Sequence, residues 1–119
     1  RVAAVKVLAA INFDAHFGQI LVAADGATGT FDCAKSDKHE VVLGGNRTLA
    51  VSNDQDGQAF TVLLTQDGAG SRTVTWWSGV RWPGGTVPTL TTTADKTDVF
   101  TFIRKSAGVY LGFPAGYNL

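Results

Sequence analysis

Methionine is missing from this chain, and cysteine and glutamate occur once each, as Cys33 and Glu40. A lone thiol excludes an internal disulfide and a cysteine-built zinc centre. Cys33 therefore reads as a small apolar residue of the interior. Charge of one sign is lacking too: 10 basic and 10 acidic side chains cancel among 119 residues. A nucleic-acid binder needs a basic surplus or a basic face, and a polybasic membrane anchor needs a cationic cluster, so neither partner is expected. No apolar run is long enough to span a bilayer, so no membrane insertion is expected. From Arg1-Val2-Ala3-Ala4 no signal peptide is expected. Because the first residue is Arg rather than Met, the sequence is expected to be a processed chain or a piece of a longer one.

Strong helix formers such as Glu, Lys and Gln are thin, while β-branched, aromatic and glycine residues are thick. Turn residues recur about every eight to twelve positions, as in a sandwich or barrel. One domain follows from the length. We expect an all-β fold, an antiparallel β-sandwich of jelly-roll type over residues 19–119. An extended N-terminal arm or edge strand is expected over residues 1–18, where Val5, Val7, Ala9, Ile11 and Phe13 alternate with Lys6, Leu8, Ala10 and Asn12.

Turn signals divide the remainder into strands. Gln19 to Ala23 and Thr28 to Cys33 flank Asp25-Gly26, His39 to Leu43 and Arg47 to Ser52 flank Gly44-Gly45-Asn46, and each pair reads as a hairpin. Phe60 to Thr65 and Thr73 to Trp77 flank Asp67-Gly68-Ala69-Gly70 and read as another. Thr86 to Thr93 reads as an edge strand, since Pro88 cannot donate to a ladder. Asp98 to Arg104 is apolar on both faces and reads as a strand buried on both sides, joined to Val109–Phe113 by Ser106-Ala107-Gly108. No internal repeat is legible.

Five pieces occur in a fixed order: Thr65-Gln66-Asp67-Gly68, Arg72-Thr73-Val74-Thr75-Trp76, Trp82-Pro83-Gly84-Gly85, Pro88-Thr89-Leu90 and Asp98-Val99-Phe100-Thr101-Phe102. From about His39 to Leu119 the chain resembles a C-terminal β-domain family of tailed-bacteriophage structural proteins, found in tail fibres and at the virion surface. It departs from that pattern at Trp77, where the family more often has Pro. It departs again at Val109-Tyr110-Leu111, where two adjacent aromatics precede the final glycine in the family. The resemblance implies a virion component.

Candidate chemistry is sparse. Asn53, Asp54 and Asp56 offer hard oxygen ligands, but Gly57 ends the loop and no distal glutamate follows, so a solvated turn accounts for them. His16 and His39 have no partner motif for a metal or a triad, and Ser71 and Ser78 form no nucleophile elbow. Gly68-Ala69-Gly70 and Gly84-Gly85 lead into no helix and cradle no phosphate. No catalytic residue, metal or cofactor is assigned. The aromatics are more informative. If Trp76 faces the core, then Trp77 faces outward, because adjacent strand residues alternate. Trp77, Trp82, Tyr110 and the flanking Arg81 form a candidate ligand site that could stack on a sugar; core packing and a subunit contact are the plainer account.

The expected function is that of a non-enzymatic bacteriophage virion structural protein displayed on the particle surface, as a fibre end or a capsid decoration. The alternative is a carbohydrate-binding receptor-recognition module, with a host-surface glycan as partner. Other virion proteins are expected partners. A homotrimer is expected, because three copies can bury Val5, Val7, Ile11 and Phe13 of the arm in subunit or shell contacts.

Overall fold

The computed structural model describes residues 19–119. Among the described residues nine strands form: β1 (Leu21–Val22), β2 (Thr28–Asp32), β3 (Lys38–Leu43), β4 (Arg47–Ser52), β5 (Ala59–Gln66), β6 (Val74–Thr75), β7 (Val80–Arg81), β8 (Thr97–Ser106) and β9 (Val109–Gly116). Alternation sets the inner face of each. Phe60, Val62, Leu64 and Gln66 of β5 are buried while Ala59, Thr61, Leu63 and Thr65 turn outward. His39, Val41 and Leu43 of β3 and Asp98, Phe100 and Phe102 of β8 bury in the same rhythm. A core residue such as Phe60 or Phe102 contributes about 1.5–3 kcal/mol by leaving water.

The strands build a six-stranded sheet in the order β1-β3-β5-β8-β9-β7 and a three-stranded sheet in the order β2-β4-β6. Phe31, Leu49 and Val74 of the smaller sheet pack with Val41, Val62 and Phe102 of the larger. The all-β sandwich expected from the sequence is therefore what forms. Its pairing is mixed rather than the antiparallel pairing of a jelly roll. β1 and β3, β3 and β5, β2 and β4, and β4 and β6 run parallel, as do β7 and β9. Among the described residues only β5–β8 and β8–β9 are antiparallel.

The three early hairpins do not exist. β1 and β2, β3 and β4, and β5 and β6 each divide between the two sheets, so the chain winds in coils and each strand lies beside its counterpart one coil later. A turn between two β-rich runs is the same sequence signal whether the chain folds back or turns a corner, which is why the hairpin reading failed. Side chains hold the corners in line. Arg47 donates to both carboxylate oxygens of Asp25 at 2.8 and 2.9 Å, the Asn46 amide oxygen accepts the Thr73 N–H, and Asn53 donates to Asp32 at 3.0 Å. The hairpin between β8 and β9 is present as expected.

Thr86–Thr93 is no edge strand. The Thr91 N–H goes to the Asp98 carboxylate at 2.7 Å and its carbonyl to the Gln66 amide at 2.8 Å, so side chains take the groups a ladder would use. Nor is β8 buried on both sides. Its inner Phe100 and Phe102 are fully buried, whereas Val99 and Thr101 are half-buried and Ile103 is exposed.

Candidate functional site

The aromatic residues singled out by sequence are mostly interior. Trp82 and Tyr110 are buried at 7% and 8% exposure. Trp77 is half-buried and does not face outward: its ring centroid lies 4.7 Å from that of Phe102, 6.0 Å from that of Phe60 and 5.8 Å from that of Tyr110. Trp76 is equally inward, 4.9 Å from Phe100 and 5.1 Å from Trp82. The alternation rule breaks because β6 ends at Thr75, before either tryptophan. The Trp77 Nε1 group is buried without a hydrogen-bond partner. Arg81 is exposed on β7, the only one of the four candidates that is. A groove of about 370 Å³ is lined by Trp76, Trp77, Trp82, Val80 and Val87, so two of the four candidates border it. Val5, Val7, Ile11 and Phe13 lie outside the described residues.

Polar residues of the recurring pieces turn out to be fasteners. The Gln66 side chain is buried; it donates to the carbonyls of Arg72 and Thr91 at 3.0 and 2.8 Å and accepts the Arg72 N–H at 2.9 Å. Asp67 accepts the N–H groups of Ala69 and Gly70 and two donors of Arg72, and the Arg72 guanidinium holds its carboxyl below the usual range. Asp98 is buried and accepts the N–H groups of Thr91 and Asn118. Together they tie the 67–72 turn, the 88–92 segment and the C-terminal strand into one unit.

The loop read as a solvated turn is a clamp. Asp54 accepts from the Tyr110 hydroxyl at 2.6 Å and from Arg104 Nη1 at 3.1 Å. Arg104 Nε lies 3.0 Å from Asp56, off the N–H axis, and so makes an ion pair rather than a hydrogen bond. Burial, with the Asp54 contact, pushes the Tyr110 phenol up to about 12. Burial likewise pushes the Cys33 thiol up to about 12, which suits a packing residue. His39 is fully buried beside Phe31, and neither ring nitrogen has a partner. Among the described residues no three of His, Cys, Asp and Glu come together as metal ligands.

What sequence reasoning missed is the outer face of the six-stranded sheet. Val22, Val42, Ile103 and Phe113 point away from the core there and are 65%, 45%, 37% and 44% exposed. Half-buried Leu63, Val99 and Leu111 lie between them, with Leu63 opposite Val99 and Ile103 opposite Leu111. The polar members are mainly threonines. Thr65 bonds Thr97 at 2.8 Å and Glu40 at 3.1 Å, while Lys38, Glu40 and Arg81 bring charge to the same face. The signal was legible in β8, whose second apolar face was read as core. An exposed row of apolar side chains on one sheet face suits burial against another protein surface.

A family model described as a phage tail fibre C-terminal domain matches residues 23–108. No curated protein and no solved structure matches the chain.

Proposed function

The chain belongs to the phage tail fibre C-terminal domain family, and we propose that it forms the outward end of a fibre as a homotrimer joined through the outer face of its six-stranded sheet. Membership makes it a structural component of the phage tail and part of the virion particle. The observation that carries the finer reading is the exposed set Val22, Val42, Ile103 and Phe113 on one sheet face. A monomer would leave this face in water, at about 25 cal/mol for each Å² of apolar surface. Threefold association about an axis would remove it on every copy alike. The function is then mechanical: a protease-resistant β-domain at the particle surface that contacts other virion proteins and the host by surface burial.

The family description supports a fibre end over a capsid decoration. A glycan-binding role has less support, because Trp82 and Tyr110 are buried.

Light scattering on the full chain tests the proposal. We expect a trimer mass, and a monomer mass with unchanged far-UV circular dichroism for the variant Val42→Lys, Ile103→Lys. A wild-type monomer at micromolar concentration, or a lysine variant that remains trimeric, overturns it.

A further inference from the structure

Among the described residues β1, β7, β2 and β6 are edge strands, and β2 is the longest of them. Each strand of the early chain has a parallel counterpart one coil later: Leu21 beside His39, Phe31 beside Val51, Val41 beside Leu64, at spacings of 18, 20 and 23 residues. Among the described residues β2 pairs on one side only, with β4. The Cys33 N–H is given to the Ser52 carbonyl. A parallel strand sends its N–H groups alternately to its two neighbours, so those of Thr30 and Asp32 point to the open side. Such an edge is a template for another strand.

The sequence holds a matching strand at the spacing that separates β1 from β3. Eighteen residues before Thr30-Phe31-Asp32-Cys33 stands Asn12-Phe13-Asp14-Ala15, which repeats Phe-Asp and keeps a polar residue before and a small one after. Gly29, Phe31 and Cys33 are the buried positions of β2 and its corner. Their counterparts Ile11, Phe13 and Ala15 are all apolar, while Thr30 and Asp32 correspond to Asn12 and Asp14. Asp32 opens the corner after β2 by accepting the Ala34 N–H at 3.0 Å. Asp14 stands in the same place ahead of His16. We infer that the open edge of β2 is a docking site for residues 11–15 of the same chain, which add to it in parallel, with Phe13 beside Phe31, as the first coil of the stack. The site recognises an extended strand with apolar residues at alternate positions and an aromatic at its centre.

Two measurements on the full chain test this. In the wild type the Thr30 amide, which faces the docking edge, exchanges with solvent at least about 100-fold slower than an unprotected amide. Phe13→Lys abolishes that protection and leaves the Val62 amide protected. Free exchange at Thr30 in the wild type overturns the proposal. The second measurement fixes the register, in a Cys33→Ala background. Asn12→Cys with Thr30→Cys closes an intramolecular disulfide, because parallel neighbours stand within the Cα separation of about 4.4–6.8 Å that the bond needs. Ala10→Cys with Thr30→Cys does not. A disulfide in the second pair alone, or a covalent dimer in the first, overturns it.

Discussion

The Tyr110 hydroxyl donates to the Asp54 carboxylate at 2.6 Å, across 56 residues of sequence. The bond fastens the loop after β4 to the last strand pair, and Arg104 completes it from β8. With the Asp54 side chain only 8% exposed, water cannot replace a lost donor well. We predict that Tyr110→Phe destabilises the fold by about 1–3 kcal/mol, the cost of leaving a buried acceptor short of a partner. Chemical denaturation of Tyr110→Phe, Asp54→Asn and the double variant measures it. Strict additivity of the two single losses would show the pair to be uncoupled.

His39 predicts a pH dependence. Burial lowers its pKa below the ordinary 6.5; the Ser36 backbone and the carboxylates of Asp32 and Asp37 act in the opposite direction without offsetting it. The unfolded chain thus binds a proton that the folded chain refuses. Stability is full above about pH 6.5 and falls as the pH drops toward the lowered value, by at most about 1.4 kcal/mol per pH unit for one proton. His39→Leu removes this component and two unpartnered nitrogens with it. Melting temperatures between pH 5 and 7 for both proteins give the comparison, and parallel curves would refute the assignment.

Gln66 shows how far the sequence was legible. Its strand, its buried face and the turn after it followed from alternation and from Asp67-Gly68. That its amide would bind Arg72 and Thr91 did not, because those contacts depend on where the 88–92 segment crosses. Strand positions are local properties of the chain, and most were readable. Strand partners are not local: parallel and antiparallel neighbours share the same alternation, so the coiled path escaped notice although the turns were placed. The outer sheet face was misread for a related reason. An apolar row on β8 does not by itself say whether the same chain covers it.

The Gln66 bonds predict a charge-sensitive variant. Gln66→Glu replaces an amide that donates to two carbonyls with a carboxylate that cannot donate when ionised. Repulsion inside a buried site then adds to the lost bonds, for a total of about 3–5 kcal/mol. Protonation restores a single donor. Urea midpoints of Gln66→Glu relative to wild type should therefore be lower at pH 8 than at pH 5, with Gln66→Leu as the control that shows no such difference.

Two glycines separate close approach from mere turn geometry. Gly79 and Gly84 both adopt positive φ, at 87° and 65°. A Cβ on Gly84 meets nothing within 4 Å, whereas one on Gly79 would be driven onto the carbonyl oxygen of Gly108. That contact is backbone on backbone, and Gly79 also accepts the Tyr110 N–H at 2.9 Å. Gly84→Ala should cost about 1–2 kcal/mol, the left-handed backbone penalty alone. Gly79→Ala has to prise β7 from β9 as well and should cost more than about 3 kcal/mol. Denaturation of the two variants side by side decides it, since equal losses would mean that backbone conformation, not the approach of Gly79 to Gly108, is what demands glycine there.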